Sequence, residues 1–169
     1  SSDEIYINLM GKGGHGALPD ELIDPVLISA HLITSLQQIV SRNTRPGIPT
    51  VLSFGKVFAN GAVNVIPDNV RIEGTFRTMN EAWRKKAHEM IKDICKNVVK
   101  GMGGEVEIEI RKGYPALVND PGITERAVSA AKEYLGEENV LDLEPRMTAE
   151  DFAYFAERYP SVLFRLGTG

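Results

Sequence analysis

Ile5, Ile7 and Leu9 alternate with Tyr6 and Asn8 in the segment Glu4–Met10, the two-residue period of a strand with one buried face. Beyond a glycine-rich loop, Asp24-Pro25 predicts a helix start. A carboxylate N-cap precedes a proline at the first helical position, where its missing N–H has no partner to lose. Ile28, Leu32, Leu36 and Ile39 then recur at helical spacing, and the helix should run to about Arg42. Thr50–Phe58 and Val70–Thr78 read as strands, separated by a turn around Pro67 with a brief extended piece. Asn80 can cap a second helix with Ala87, Ile91, Ile94 and Val98 as its stripe, "KGMGG" stops it, and Glu105–Arg111 alternates strictly. The order β-α-β-β-α-β is that of the split βαβ, ferredoxin-like arrangement: four antiparallel strands with two helices on one face.

After Gly113 the pattern changes. Asn119-Asp120-Pro121 opens a third helix with Ile123, Ala127, Ala130 and Tyr134 facing inward, and Gly136 ends it. "NVLDL" reads as a short strand and "TAEDFAYFAERY" as a fourth helix. "SVLFRL" reads as a strand buried on both faces. This α-β-α-β tail has the grammar of a parallel sheet. The expected division is an α+β unit over residues 1–113 and a fragment of an α/β domain over 114–169.

Composition narrows the function. Of 169 residues, 43% are hydrophobic and 25% charged, enough for a core without disorder. A net charge of −4 argues against a nucleic-acid partner, which calls for a basic surface. No apolar run approaches the ~18 residues of a membrane span, and no signal peptide is visible. Cys95 is the single cysteine, so no intrachain disulfide can form, and a cytoplasmic location is expected.

Chemistry is sparse. His31 and His88 fall inside helices, on the flanks of apolar stripes, and read as structural or solvent-edge residues. No Cys-x-x-Cys, His-x-x-x-His or His-x-Asp occurs. A catalytic zinc takes about three protein ligands, which this chain does not supply. Gly-x-Ser-x-Gly is absent, and Cys95, beside the second helix's stripe, reads as an inert buried thiol. What remains lies on loops and strand ends. His15 follows two glycines, which permit close backbone approach. Asn64 sits where a strand meets a prolyl turn, and a plain turn role fits it equally. Arg77 follows the inward Phe76, so it points away from the core as a solvated charge or as a bidentate grip on a carboxylate. Glu150 and Asp151 lie near a helix N-terminus, where carboxylates complement the dipole without any function.

Taken together, "GKGGHGALPDELIDPV", "TVLSFGKV", "NVIPDNVRIEGTFRT", "GYPALVND" and "RMTAEDFAYF…FRLGTG" resemble the M20 metallopeptidases, nearest the amidohydrolases of N-acyl amino acids such as hippurate and indole-acetyl amino acid hydrolases. The resemblance runs from about Glu4 to Gly169. It implies a two-domain enzyme whose catalytic domain holds two divalent metals, zinc or manganese. A ferredoxin-like lid inserted into that domain mediates homodimerisation. Residues 1–113 would be the lid and 114–169 part of the catalytic domain. The family's metal ligands would lie outside these residues, so this chain alone should be inactive. By the same resemblance, His15 reaches into the partner's active site and stabilises the oxyanion. Asn64 would orient the substrate amide and Arg77, thirteen positions on, would hold its carboxylate; Glu150 and Asp151 would support the site from behind. Asp20 departs from the family, where many relatives carry histidine. The competing reading is a standalone ferredoxin-like dimerisation or ligand-binding module without catalysis.

Overall fold

The computed structural model describes residues 1–168. Its elements in chain order are β1 (Asp3–Met10), β2 (Gly14–His15), α1 (Pro25–Leu36), β3 (Thr50–Ala59), β4 (Val65–Ile66), β5 (Asn69–Thr78), α2 (Glu81–Gly101), β6 (Glu105–Lys112), α3 (Pro121–Leu135) and α4 (Ala153–Ala156). Four strands form one antiparallel sheet in the order β3-β5-β1-β6, so the first strand lies inside the sheet and the chain crosses it twice by helices.

Strand alternation divides this sheet into two unlike faces. Ile5, Ile7, Leu9, Val70, Ile72 and Phe76 turn toward α1 and α2 and are fully buried with Ile28, Leu32, Leu36, Ala87 and Ile91. The other face carries Glu4, Tyr6, Arg71, Glu73, Glu109 and Arg111, which pair among themselves. Glu73 accepts from Lys56 (3.2 Å) and Arg71 (2.9 Å), and Arg111 lies over the Tyr6 ring at 4.4 Å. Gly74 lets the strands close where a bulge shifts β3: a Cβ there would lie 2.5 Å from the Ser53 carbonyl oxygen.

The helix starts form as their sequences require. The N–H groups of Val26 and Leu27 donate to Asp24 Oδ1, and the N–H of Trp83 donates to Asn80 Oδ1. The α1 path widens into a π turn over Ile39–Asn43 instead of continuing regularly to Arg42. On α2, Ala87 and Ile91 are fully buried as predicted, whereas in the second half of the helix Cys95 and Val99 are fully buried and Ile94 and Val98 only half-buried. Burial pushes the Cys95 thiol up to about 12, consistent with an inert sulfur.

The tail departs most from expectation. Neither 139–143 nor 161–166 forms a strand, and α4 covers only Ala153–Ala156 of the predicted 148–159. A strand exists only where a neighbour takes its backbone groups, and no described residue offers an edge to these segments. The Leu163 amide and carbonyl pair instead with the side chain of Asn119. On α3 no residue is buried, and Tyr134, predicted inward, is 89% exposed. No helix among the described residues is long and apolar enough to cross a membrane.

Candidate functional site

The loop Gly11–Gly16 lies flat against the turn Asn64–Asp68, joined to it residue by residue. The Gly11 N–H donates to the Asp68 carbonyl (2.8 Å) and the Gly13 N–H to Asp68 Oδ1 (2.9 Å). Gly14 and His15 pair with Ile66 and Val65, and the Gly16 N–H donates to the Asn64 carbonyl (2.8 Å). On the other side, Lys12 and Ile23 exchange backbone hydrogen bonds. The approach is too close for a side chain: a Cβ on Gly13 would stand 2.4 Å from the Ile66 carbonyl oxygen. Gly13 is therefore required by the way the loop presents His15.

His15 is exposed, and its local hydrogen bond determines its proton. The Ala17 N–H donates to His15 Nδ1 at 3.1 Å, so in the neutral ring the hydrogen resides on Nε2. That leaves Nε2–H as the donor of an exposed ring. The Asn64 side-chain nitrogen Nδ2 lies 3.4 Å from Nε2; with the amide turned over about its Cγ bond, its oxygen can accept that proton. At this length the contact is weak, so an incoming carbonyl oxygen can replace it. His15 and Asn64 thus stand together at one end of the sheet.

Arg77 does not join them. It lies on the polar face of β5, opposite Val51, eight residue steps along the strand from Asn69, about 27 Å at ~3.4 Å per residue. The half-buried Arg77 donates from Nη1 to the Met147 carbonyl (3.3 Å) and lines a cleft of about 840 Å³ with Lys56, Lys112, Tyr114 and Tyr154. Glu150 and Asp151 are exposed and precede α4; their backbone carbonyls accept from Ala153 and Tyr154. Glu150 borders a second cleft with Met147, which puts it at the Arg77 end.

Sequence reading missed a buried ionic cluster. Asp3 faces the helices, and Arg84 donates to both its carboxylate oxygens; the Nε bond measures 2.9 Å. His88 Nε2 lies 2.7 Å from Asp3 Oδ2. Arg84 also reaches Glu81 (3.0 Å) and the Gly113 carbonyl (3.1 Å). A signal was present: Asp3 occupies the inward phase of β1, and Arg84 and His88 are four apart beside Ala87. Burial would raise the Asp3 pKa, but hydrogen bonds from Arg84 and His88 outweigh it and hold it at about 2. Its pKa is lower folded than in the open chain, so its stabilisation is present above about pH 4 and lost as pH falls through about 2. Between about pH 5 and 2, the wild type should lose about 2 kcal/mol more than Asp3→Asn in denaturant unfolding. Equal losses in both would show that Asp3 is not held as described.

These groups do not make a metal site. The Asp3 oxygens are taken by a guanidinium and an imidazole, and among the described residues no three His, Cys, Asp or Glu side chains converge.

Residues 10–169 match peptidase family M20/M25/M40. The chain belongs to this family. It is 39% identical over 170 residues to the probable hydrolase sll0100 of Synechocystis, covering all of this chain and 43% of that protein. It is 36% identical over 167 residues to N-acetyldiaminopimelate deacetylase of Lactobacillus acidophilus, covering 98% of this chain and 43% of the relative. Among solved structures, Bacillus subtilis YXEP, a dinuclear metal-binding peptidase of family M20, superposes with a TM-score of 0.72 at 28% identity, over 95% of this chain and 39% of YXEP. The chain thus spans less than half the length of these relatives.

Proposed function

We propose that these residues are part of a metal-dependent amidohydrolase that cleaves the amide bond of N-acyl amino acids. In this reading residues 1–113 form a ferredoxin-like dimerisation lid and 114–169 belong to the catalytic domain. The strand order β3-β5-β1-β6 and the two helices on one face support the lid assignment. The divalent metals of the reaction would be held by residues outside this chain.

The observation that carries the proposal is the Ala17 N–H bond to Nδ1 of the exposed His15, which leaves Nε2 as the ring's donor on a glycine-zipped loop. A neutral donor placed where a carbonyl oxygen gains charge lowers the barrier to acyl transfer, by about 3 kcal/mol for one such donor. Asn64 rests beside the ring and turns to the substrate amide when a substrate carbonyl takes its place. Arg77 donates to the α-carboxylate through its guanidinium fork.

Geometry then constrains the assembly. A small N-acyl amino acid cannot span the ~27 Å of β5 that separates Arg77 from the His15–Asn64 end. Both can act on one substrate only if they come from different protomers, which favours a composite site in a dimer. The edge strand β3 suits such pairing, with Lys56 its single charge and Val57 and Phe58 exposed. The outer flank of α1 continues that surface with Val26, Leu27, Ala30 and His31, and the helix holds no Lys, Arg, Asp or Glu.

Arg77 supplies the direct test. In the full-length enzyme Arg77→Ala should raise KM about ten-fold or more for substrates with a free α-carboxylate, and little for their amides or esters. Equal effects on both substrate classes, across a panel of N-acyl amino acids, would remove Arg77 from the carboxylate and with it the substrate class.

A further inference from the structure

We infer that Asp68 is a positioning residue for His15, an inference that rests on the amidohydrolase reading above. The loop Gly11–Gly16 touches the turn Asn64–Asp68 almost entirely through backbone, and Asp68 grips it twice. Its carbonyl accepts the Gly11 N–H at 2.8 Å and its side-chain Oδ1 accepts the Gly13 N–H at 2.9 Å. Gly13 is the point of closest approach, where a Cβ would meet Ile66 O, Pro67 C and Asp68 N, all within 2.9 Å. Two residues further on stands the His15 ring.

Asp68 also shares its turn with Asn64, so one short segment carries both the acceptor that anchors the loop and the amide beside the ring. An ionised carboxylate accepting a backbone N–H is a stronger bond than a neutral pair, which suits a loop that must hold a donor against solvent. Asp68 itself is exposed, and its side chain bonds Gly13, two residues before the ring, with no hydrogen bond to the imidazole. Its contribution is to the placement of His15 and not to contact with the reacting atoms. Misplacement of a donor by about 1 Å is enough to cost one to two orders of magnitude in rate.

The test compares Asp68→Ala, Asp68→Asn and Asp68→Glu with His15→Ala in the full-length enzyme. Asp68→Ala should lower kcat about ten- to a hundred-fold and leave KM within about two-fold. Asp68→Asn, which keeps an acceptor at the same reach, should restore most of the loss. Asp68→Glu keeps the charge but moves the acceptor outward, and should fall between the two. Histidine nitrogen NMR adds a readout that a purely structural role would not move: the Nδ1 and Nε2 shifts of His15 should draw together in the alanine variant and stay apart in the asparagine variant. If Asp68→Ala keeps wild-type kcat while His15→Ala is crippled, the positioning role is overturned and the oxyanion role of His15 stands. Equal damage from Asn and Ala also overturns it, since the acceptor would then not be what matters. Should His15→Ala itself leave kcat intact, the oxyanion reading fails and the inference falls with it.

Discussion

His15→Ala in the full-length enzyme is expected to lower kcat by about 10²- to 10³-fold, with metal content and thermal stability close to wild type. The side chain is exposed and its one backbone hydrogen bond is local, so its removal leaves no buried group unpaired. A donor used chiefly in the transition state is lost from kcat and kcat/KM together. Reach adds a second arm. Because Arg77 lies ~27 Å along β5 from the His15 end, the composite site proposed above would draw on two protomers. Mixing His15→Ala with a variant disabled in its metal-bearing domain should yield heterodimers with one intact site and partial recovery of activity. Subunit exchange demonstrated by mass, with activity as low as in either parent, would mean that His15 serves its own chain.

Arg84→Met should be the most destabilising single substitution in the buried cluster. It leaves the Asp3 carboxylate, fully buried and held as an anion, without its main partner. Breaking one side of such a pair costs about 3–5 kcal/mol, which lowers the melting temperature by roughly 10 °C for a unit of this size. The double substitution Asp3→Asn with Arg84→Met should be less damaging than the sum of the singles, because the uncompensated charge disappears with its partner. Additive losses would mean that the two side chains do not share their energy, contrary to their contacts. Glu81 and Gly113 would also feel the change, since Arg84 joins α2 to the end of β6.

Much of the fold was legible because it is governed by local period and local caps. Ile5, Ile7 and Leu9 alternate, and all three are buried. Asp24, Asn80 and Asp120 stand before their helices, and each caps one. On α2 the first half of the stripe, Ala87 and Ile91, is buried as its period requires, while in the second half Cys95 and Val99 take the deepest positions beside the half-buried Ile94 and Val98. In the tail, "NVLDL" and "SVLFRL" carry strand composition, but a strand is completed only by a neighbour, and none stands beside them here.

For the candidate site the division is similar. Sequence alone determined that His15 sits on a glycine loop, that Arg77 faces away from Phe76, and that the motifs around both resemble one family. Tertiary structure decided the rest, because it depends on which distant segments touch. Contact between residues 11–16 and 64–68 brought Asn64 to 3.4 Å from the ring and made Asp68 the loop's anchor. The direction of β5 put Arg77 at the far end, although it lies only thirteen residues from Asn64. Asp3, Arg84 and His88 became one buried cluster only when β1 was laid beneath α2, since no local period tells a charged residue which opposite charge it will meet.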